Sequence, residues 1–151
     1  MLALALIASC TVPKKVQPGK PFVFKTTIKV EGNVPNKQDL EERLRNQIDD
    51  SLKTRVISYA GVRRVIDNPP VFDTANIGRS KVFINSLLHT LGYFYPEVTD
   101  EYRIDTVRDQ YRTYINFTVR PGKVLRLDSV GYQMATPELQ ELALHNRDRS
   151  P

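Results

Sequence analysis

The 151 residues include one cysteine, Cys10, no tryptophan, and two histidines, His89 and His145. A lone thiol excludes an intramolecular disulfide and any metal cluster built on several thiolates. The sequence contains no HExxH, P-loop, GxSxG or dinucleotide-binding fingerprint. The adjacent carboxylates Asp49 and Asp50 fall late in a helical pattern beside Lys53, on a solvated face. No nucleophile, acid/base pair or metal-ligand set can be assembled, so an enzyme is not expected, nor a cofactor, metal or small-molecule substrate. An apolar run long enough to span a bilayer, about 20 residues, is also missing. The closest approach is Met1–Ser9, MLALALIAS. The formal net charge of +5 suits an acidic contact surface such as anionic lipid or an acidic partner. Along the sequence the basic residues are scattered, without a helix-turn-helix or RNA-binding signature, so nucleic acid is not the expected partner.

The apolar run leads into Ile7-Ala8-Ser9-Cys10. This resembles a bacterial lipobox: a branched aliphatic residue, two small residues, then a cysteine that accepts the lipid. No Lys or Arg precedes the run, which departs from the usual pattern. Thr11 to Pro21 holds Pro13, Pro18, Gly19 and Pro21 among three lysines, and is expected to be a flexible tether without a packed element. Phe22, Phe24, Thr26, Ile28 and Val30 alternate with Lys25 and Lys29, the pattern of a half-buried strand closed by Gly32-Asn33. Asn36 or Asp39 is then placed to cap a helix whose apolar stripe is Leu40, Leu44, Ile48 and Leu52. Asp39 with Arg43, and Glu41 with Arg45, are expected i,i+4 pairs worth only about 0.3–0.5 kcal/mol each. Burial of each stripe residue is worth about 1.5–3 kcal/mol before entropy, so the stripe decides the helix.

Lys53 to Phe72 mixes apolar and basic residues and ends at Asn68-Pro69-Pro70. It is too long for an ordinary structureless loop and reads as a partly ordered insertion. Asp73 or Thr74 opens a second helix with Ile77, Ile84, Leu87, Leu88 and Leu91 on its apolar face. It stops at Gly92, since glycine enters the left-handed conformation at no steric cost. A strand through Phe94, Val98, Tyr102 and Ile104 follows, then a polar turn over Asp105–Gln110. The next strand carries Tyr111, Thr113, Ile115, Phe117 and Val119 and ends at Pro121-Gly122. The pattern then restarts, with a strand over Val124–Tyr132 and a helix over Thr136–His145. The sequence stops at Pro151 within this second unit, as a piece of a longer protein would.

The order β-α-α-β-β resembles a POTRA (polypeptide-transport-associated) domain. Three motifs carry the resemblance: Ile28-Lys29-Val30-Glu31-Gly32-Asn33, Leu91-Gly92-Tyr93-Phe94 with Val98, and Phe117-Thr118-Val119-Arg120-Pro121-Gly122. With the lipobox and Asn68-Pro69-Pro70-Val71-Phe72-Asp73, the chain resembles the lipoprotein variant (TamL-like, Bacteroidetes) of the BamA/TamA outer-membrane assembly family. The expected fold is α+β: a small three-stranded mixed sheet with two helices on one face. The expected organisation is a lipobox remnant over 1–10, a linker over 11–21, a first POTRA domain over 22–122, and part of a second over 123–151.

The resemblance implies a periplasmic module of an outer-membrane protein assembly or translocation factor, lipid-anchored at Cys10. Its partners would be unfolded outer-membrane proteins or other envelope assembly proteins. Thr11 is not the aspartate that marks inner-membrane retention in proteobacteria, so the expected address is the periplasmic face of the outer membrane. The expected mechanism is β-augmentation, an extended client adding to an exposed strand edge. Tyr95 to Ile104 is the candidate edge because it carries Pro96 and several charges. Candidate contact residues are Leu87, Tyr93, Tyr95, Glu97, Thr99 and Tyr102. Asp105-Thr106-Val107 matches a short O-glycosylation pattern of Bacteroidetes with Thr106 as acceptor; Asp73-Thr74-Ala75 and Asp128-Ser129-Val130 match it too. The alternative is a stand-alone envelope lipoprotein with a structural docking role, using Lys53–Phe72 as its contact.

Overall fold

The computed structural model describes residues 12–59, 63–126, 131 and 133–146. Cys10 and Ser129 lie outside the described residues. The elements in chain order are β1 (Val12–Lys14), β2 (Phe22–Val30), α1 (Lys37–Gln47), β3 (Val56–Tyr59), β4 (Arg63–Asp67), α2 (Thr74–Thr90), β5 (Glu97–Val107), β6 (Gln110–Arg120) and α3 (Pro137–His145), with one 3₁₀ turn at Asp50–Leu52.

The main sheet has the order β2-β6-β5. β2 runs parallel to β6, and β5 runs antiparallel to it. α1 and α2 cover one face. The core joins Val23, Ile28 and Val30 of β2 to Ile115, Phe117 and Val119 of β6, with Leu40 and Leu44 of α1 and Ile77, Ile84 and Leu88 of α2. This is the expected α+β arrangement. All four stripe residues after Asn36 are buried, although the helix proper ends at Gln47. Ile48 is its C-cap, and Leu52 closes the 3₁₀ turn capped by Asp49, whose carboxylate accepts the Ser51 N–H at 2.9 Å. Asp73 caps α2 by accepting the Ala75 N–H at 2.9 Å. α2 ends in a Schellman arrangement: the Tyr93 N–H reaches Leu88 O at 2.9 Å, the Gly92 N–H reaches His89 O at 3.0 Å, and Gly92 has φ +88°.

Four local expectations are corrected. The tether contains a strand: Val12–Lys14 pairs in parallel with β4, and β4 pairs antiparallel with β3, so the insertion becomes part of a second three-stranded sheet, β1-β4-β3. Pro13 is tolerated because β1 is an edge. Second, a bulge between Val23 and Lys25 breaks the alternation of β2. Val23 enters the core, while Phe24 packs on Tyr114 of the opposite face, ring centroids 5.2 Å apart. Third, the turn after β5 holds only Arg108 and Asp109, with Val107 opposite Gln110. Fourth, Glu41 does not pair with Arg45. Its carboxylate accepts the Val30 N–H at 2.9 Å instead, whereas Arg43 does meet Asp39 at 2.9 Å.

Of the expected strand over Val124–Tyr132, the described part shows a single bridge, Val124 to Tyr93. α3 matches its expected helix, with Thr136 at the N-cap and Pro137 at the start.

Candidate strand-edge interface

The two edges of the main sheet are treated differently by the chain. The β2 edge is closed at both ends. Near its start, the Val23 N–H donates to Pro70 O and the Phe72 N–H donates to Pro21 O, each at 2.9 Å, and Phe22 bridges Val71. At its far end Glu41 takes the Val30 N–H. Midway, the Thr26 hydroxyl donates to Leu52 O at 2.6 Å. The β5 edge has no such cover. Among the described residues, the backbone of its eleven residues is hydrogen-bonded to β6 alone.

The hairpin sets which β5 groups face outward. Val107 and Gln110 close a two-residue turn, and such a closing pair is hydrogen-bonded. Counting back at period two, the backbone of Glu97, Thr99, Glu101, Arg103 and Asp105 bonds to β6. The N–H and C=O of Val98, Asp100, Tyr102, Ile104 and Thr106 therefore point away from the sheet, unpaired. Their side chains lie on the helix-covered face, since Val98 stands opposite Val119, Tyr102 opposite Ile115 and Ile104 opposite Thr113.

The side chains beside this edge form two zones. Near its start, Val98 packs on the core, and Asp100 meets Lys81 of α2 at 2.8 Å, tying helix to strand. Farther along, the hairpin projects past α2. There Tyr102 leans on Phe72, ring centroids 5.0 Å apart, and Ile104 and Tyr111 are exposed by about two fifths, 44% and 41%. This is an apolar shelf directly under the open backbone groups.

The six candidate residues do not converge. Tyr102 lies on the shelf. Glu97 and Thr99 lie on the opposite, helix-free face, where Arg120 joins Glu97 at 3.2 Å and Glu31 at 3.0 Å. The Lys29 ammonium and then Arg120 hold the Glu31 carboxyl below its ordinary value, and Glu97 followed by Glu31 raises Arg120. Leu87 and Tyr93 are half-buried against the core. Tyr93 also borders a recess of about 310 Å³ between α1, the end of α2 and residues 124–126. The strand starts later than expected: Phe94, Tyr95 and Pro96 precede it, with Tyr95 83% exposed. Thr106 is exposed at the end of β5, not in a turn. Ile104 and Phe72 were missed as shelf residues. The period-two pattern placed Ile104 on the correct face, but nothing local signalled that the helices stop short of it.

The arrangement offers backbone donors and acceptors beside apolar contact area, the means to bind an extended chain. Among the described residues no group of three or more His, Cys, Asp or Glu could hold a metal ion, and no helix is long and apolar enough to cross a membrane.

The POTRA family, described as "Surface antigen variable number repeat", matches residues 26–122. The chain belongs to the POTRA family. The matched span runs from within β2 to two residues past β6, so it takes in the whole open edge. Among solved structures, the crystal structure of Haemophilus influenzae BamA POTRA4 is similar to this POTRA chain. It aligns at 14% identity with a TM-score of 0.45, over 71% of this chain and 98% of the other. No curated protein matches.

Proposed function

We propose that this POTRA chain is a periplasmic module of an outer-membrane protein assembly or translocation factor, and that it binds extended client or partner segments along β5. The proposal includes the lipoprotein, TamL-like variant of the family, anchored through Cys10 at the periplasmic face of the outer membrane. The observation that carries the binding mechanism is the contrast between the two sheet edges: β2 is closed by residues 70–72 and Glu41, and β5 is open beside an apolar shelf. Main-chain pairing carries no sequence information, so such an edge accepts many clients. The shelf adds a preference for segments with apolar residues at alternate positions, the pattern of a membrane β-strand. The role is one of binding, without catalysis.

The test separates backbone from side chain at one position. Tyr102→Ala removes the ring contact with Phe72 and leaves the outward N–H. Tyr102→Pro removes both, on an edge where proline breaks no ladder bond. Affinity for a ten-residue peptide of alternating apolar and polar residues is compared by titration, with thermal unfolding as the control. Tyr102→Pro should lose at least about fivefold more affinity than Tyr102→Ala, as expected for about 1 kcal/mol per hydrogen bond, at similar stability. Equal affinity of the two variants would remove the augmentation mechanism. Binding that instead requires the β3–β4 hairpin would favour a docking lipoprotein.

A further inference from the structure

The parallel pairing of β1 with β4 gathers charge that is scattered in the sequence. Residues 12–20 and 53–67 contain Lys14, Lys15, Lys20, Lys53, Arg55, Arg63 and Arg64, against the single carboxylate Asp67. These segments are therefore net +6, where the whole chain is +5. The remainder is close to neutral, so the protein's positive charge is that of the small sheet and its flanks.

Ion pairs among the described residues reduce this charge in part. Lys15 meets Asp67 at 3.3 Å, and Lys53 meets Asp50 at 2.9 Å. Arg55 and Arg64 are exposed, and no carboxylate holds them among the described residues. On the edge strand β3, Val56 and Ser58 share the face of Arg64, and Ile57 takes the opposite face with Arg55; Val56 and Ile57 are exposed by about half, 51% and 42%. Aliphatic residues set among guanidinium groups on an edge strand suit an interface with water on one side and acyl chains on the other.

We infer that the β3 edge of the β1-β4-β3 sheet, which presents both faces together, is a membrane-facing surface that docks on anionic phospholipid headgroups. Guanidinium groups pair bidentately with phosphate, and a negative surface potential attracts clustered basic residues. The chain's own connectivity favours a bilayer over another polyanion. β1 starts at Val12, so a lipid on Cys10 would lie at most about 7 Å of extended chain from the sheet. That proximity argument rests on the anchored reading above, whereas the charge argument does not. An anchor at Cys10 and a basic sheet beside it would form two weak signals that act together.

The experiment uses the full chain with Cys10→Ala, so that acylation plays no part. Sedimentation with vesicles of phosphatidylcholine alone is compared with vesicles containing phosphatidylglycerol. Binding should require the anionic lipid and fall steeply as salt rises. Arg55→Gln with Arg64→Gln should weaken it roughly 30-fold, about fivefold for each charge, with an unchanged circular dichroism spectrum. Val56→Ser should weaken binding without changing its salt dependence. Equal binding to neutral vesicles, or no effect of the arginine pair, overturns the inference. So does binding of an oligonucleotide through the same arginines without binding to vesicles. The anchor is tested separately by the mass of the native N-terminus. If Cys10 carries no lipid, the anchored reading fails, and the vesicle result still decides the sheet.

Discussion

Two glycines show how the same residue serves opposite ends. Gly92 sits at φ +88°, and a Cβ there would meet Leu125 O at 2.9 Å and Val124 Cγ2 at 3.1 Å. The chain after β6 is held against it, with the Leu125 N–H donating to Gly92 O at 2.9 Å. Gly92→Ala should therefore cost about 1–3 kcal/mol, through both the left-handed conformation and the displaced segment. Gly78 lies in the second turn of α2, exposed, with nothing within 4 Å of its would-be Cβ. Its replacement by alanine should stabilise by about 0.4–1 kcal/mol, because the unfolded chain loses freedom and the helix gains propensity. Chemical denaturation of the two variants measures both, and shifts of the same sign would contradict this account of the two sites.

At the scale of the element, side chains often do what backbone does elsewhere. Ser80 of α2 is fully buried and accepts the Asp49 N–H at 3.1 Å, fastening the second helix to the turn after the first. Ser80→Ala leaves that amide without its partner and should cost about 1–3 kcal/mol in denaturant unfolding. A loss within error would mean that water replaces the hydroxyl. The helices and β6 were legible in the sequence because their signals are local: Leu40, Leu44, Ile48 and Leu52 at helical spacing, and Thr113, Ile115, Phe117 and Val119 at period two, all buried. β1 was not legible, because its partner β4 lies about fifty residues away and three residues hold no periodicity. The bulge at Phe24 was hidden for a related reason. Phe22 and Phe24 alternate as if on one face, and only the register with β6 turns Phe24 outward onto Tyr114. The candidate edge strand was legible from its charges. Its outward amides were not, since a turn read as six residues conceals which positions pair.

For the whole molecule, two perturbed carboxylates among the described residues contribute to the response to acid. Glu31 is held below its ordinary value first by Lys29 and then by Arg120; Asp49 is held below its own first by the Ser51 N–H and also by Arg79. A carboxylate with a lowered folded value stabilises the fold above its unfolded value and loses that contribution as pH falls through the folded one. The melting temperature should therefore drop below about pH 4, the range where free carboxylates titrate, and Asp49→Asn should flatten part of the drop. A melting temperature independent of pH across this range would contradict the assignment.

The central claim is that the open β5 edge receives an extended chain. Amide chemical-shift mapping by nuclear magnetic resonance, during titration with the alternating ten-residue peptide, tests it most directly. The account predicts that the largest changes fall on the outward-facing amides of Val98, Asp100, Tyr102, Ile104 and Thr106, while the amides of β2 stay fixed. Changes centred on β2 or on the β3–β4 hairpin, with β5 unmoved, would contradict it.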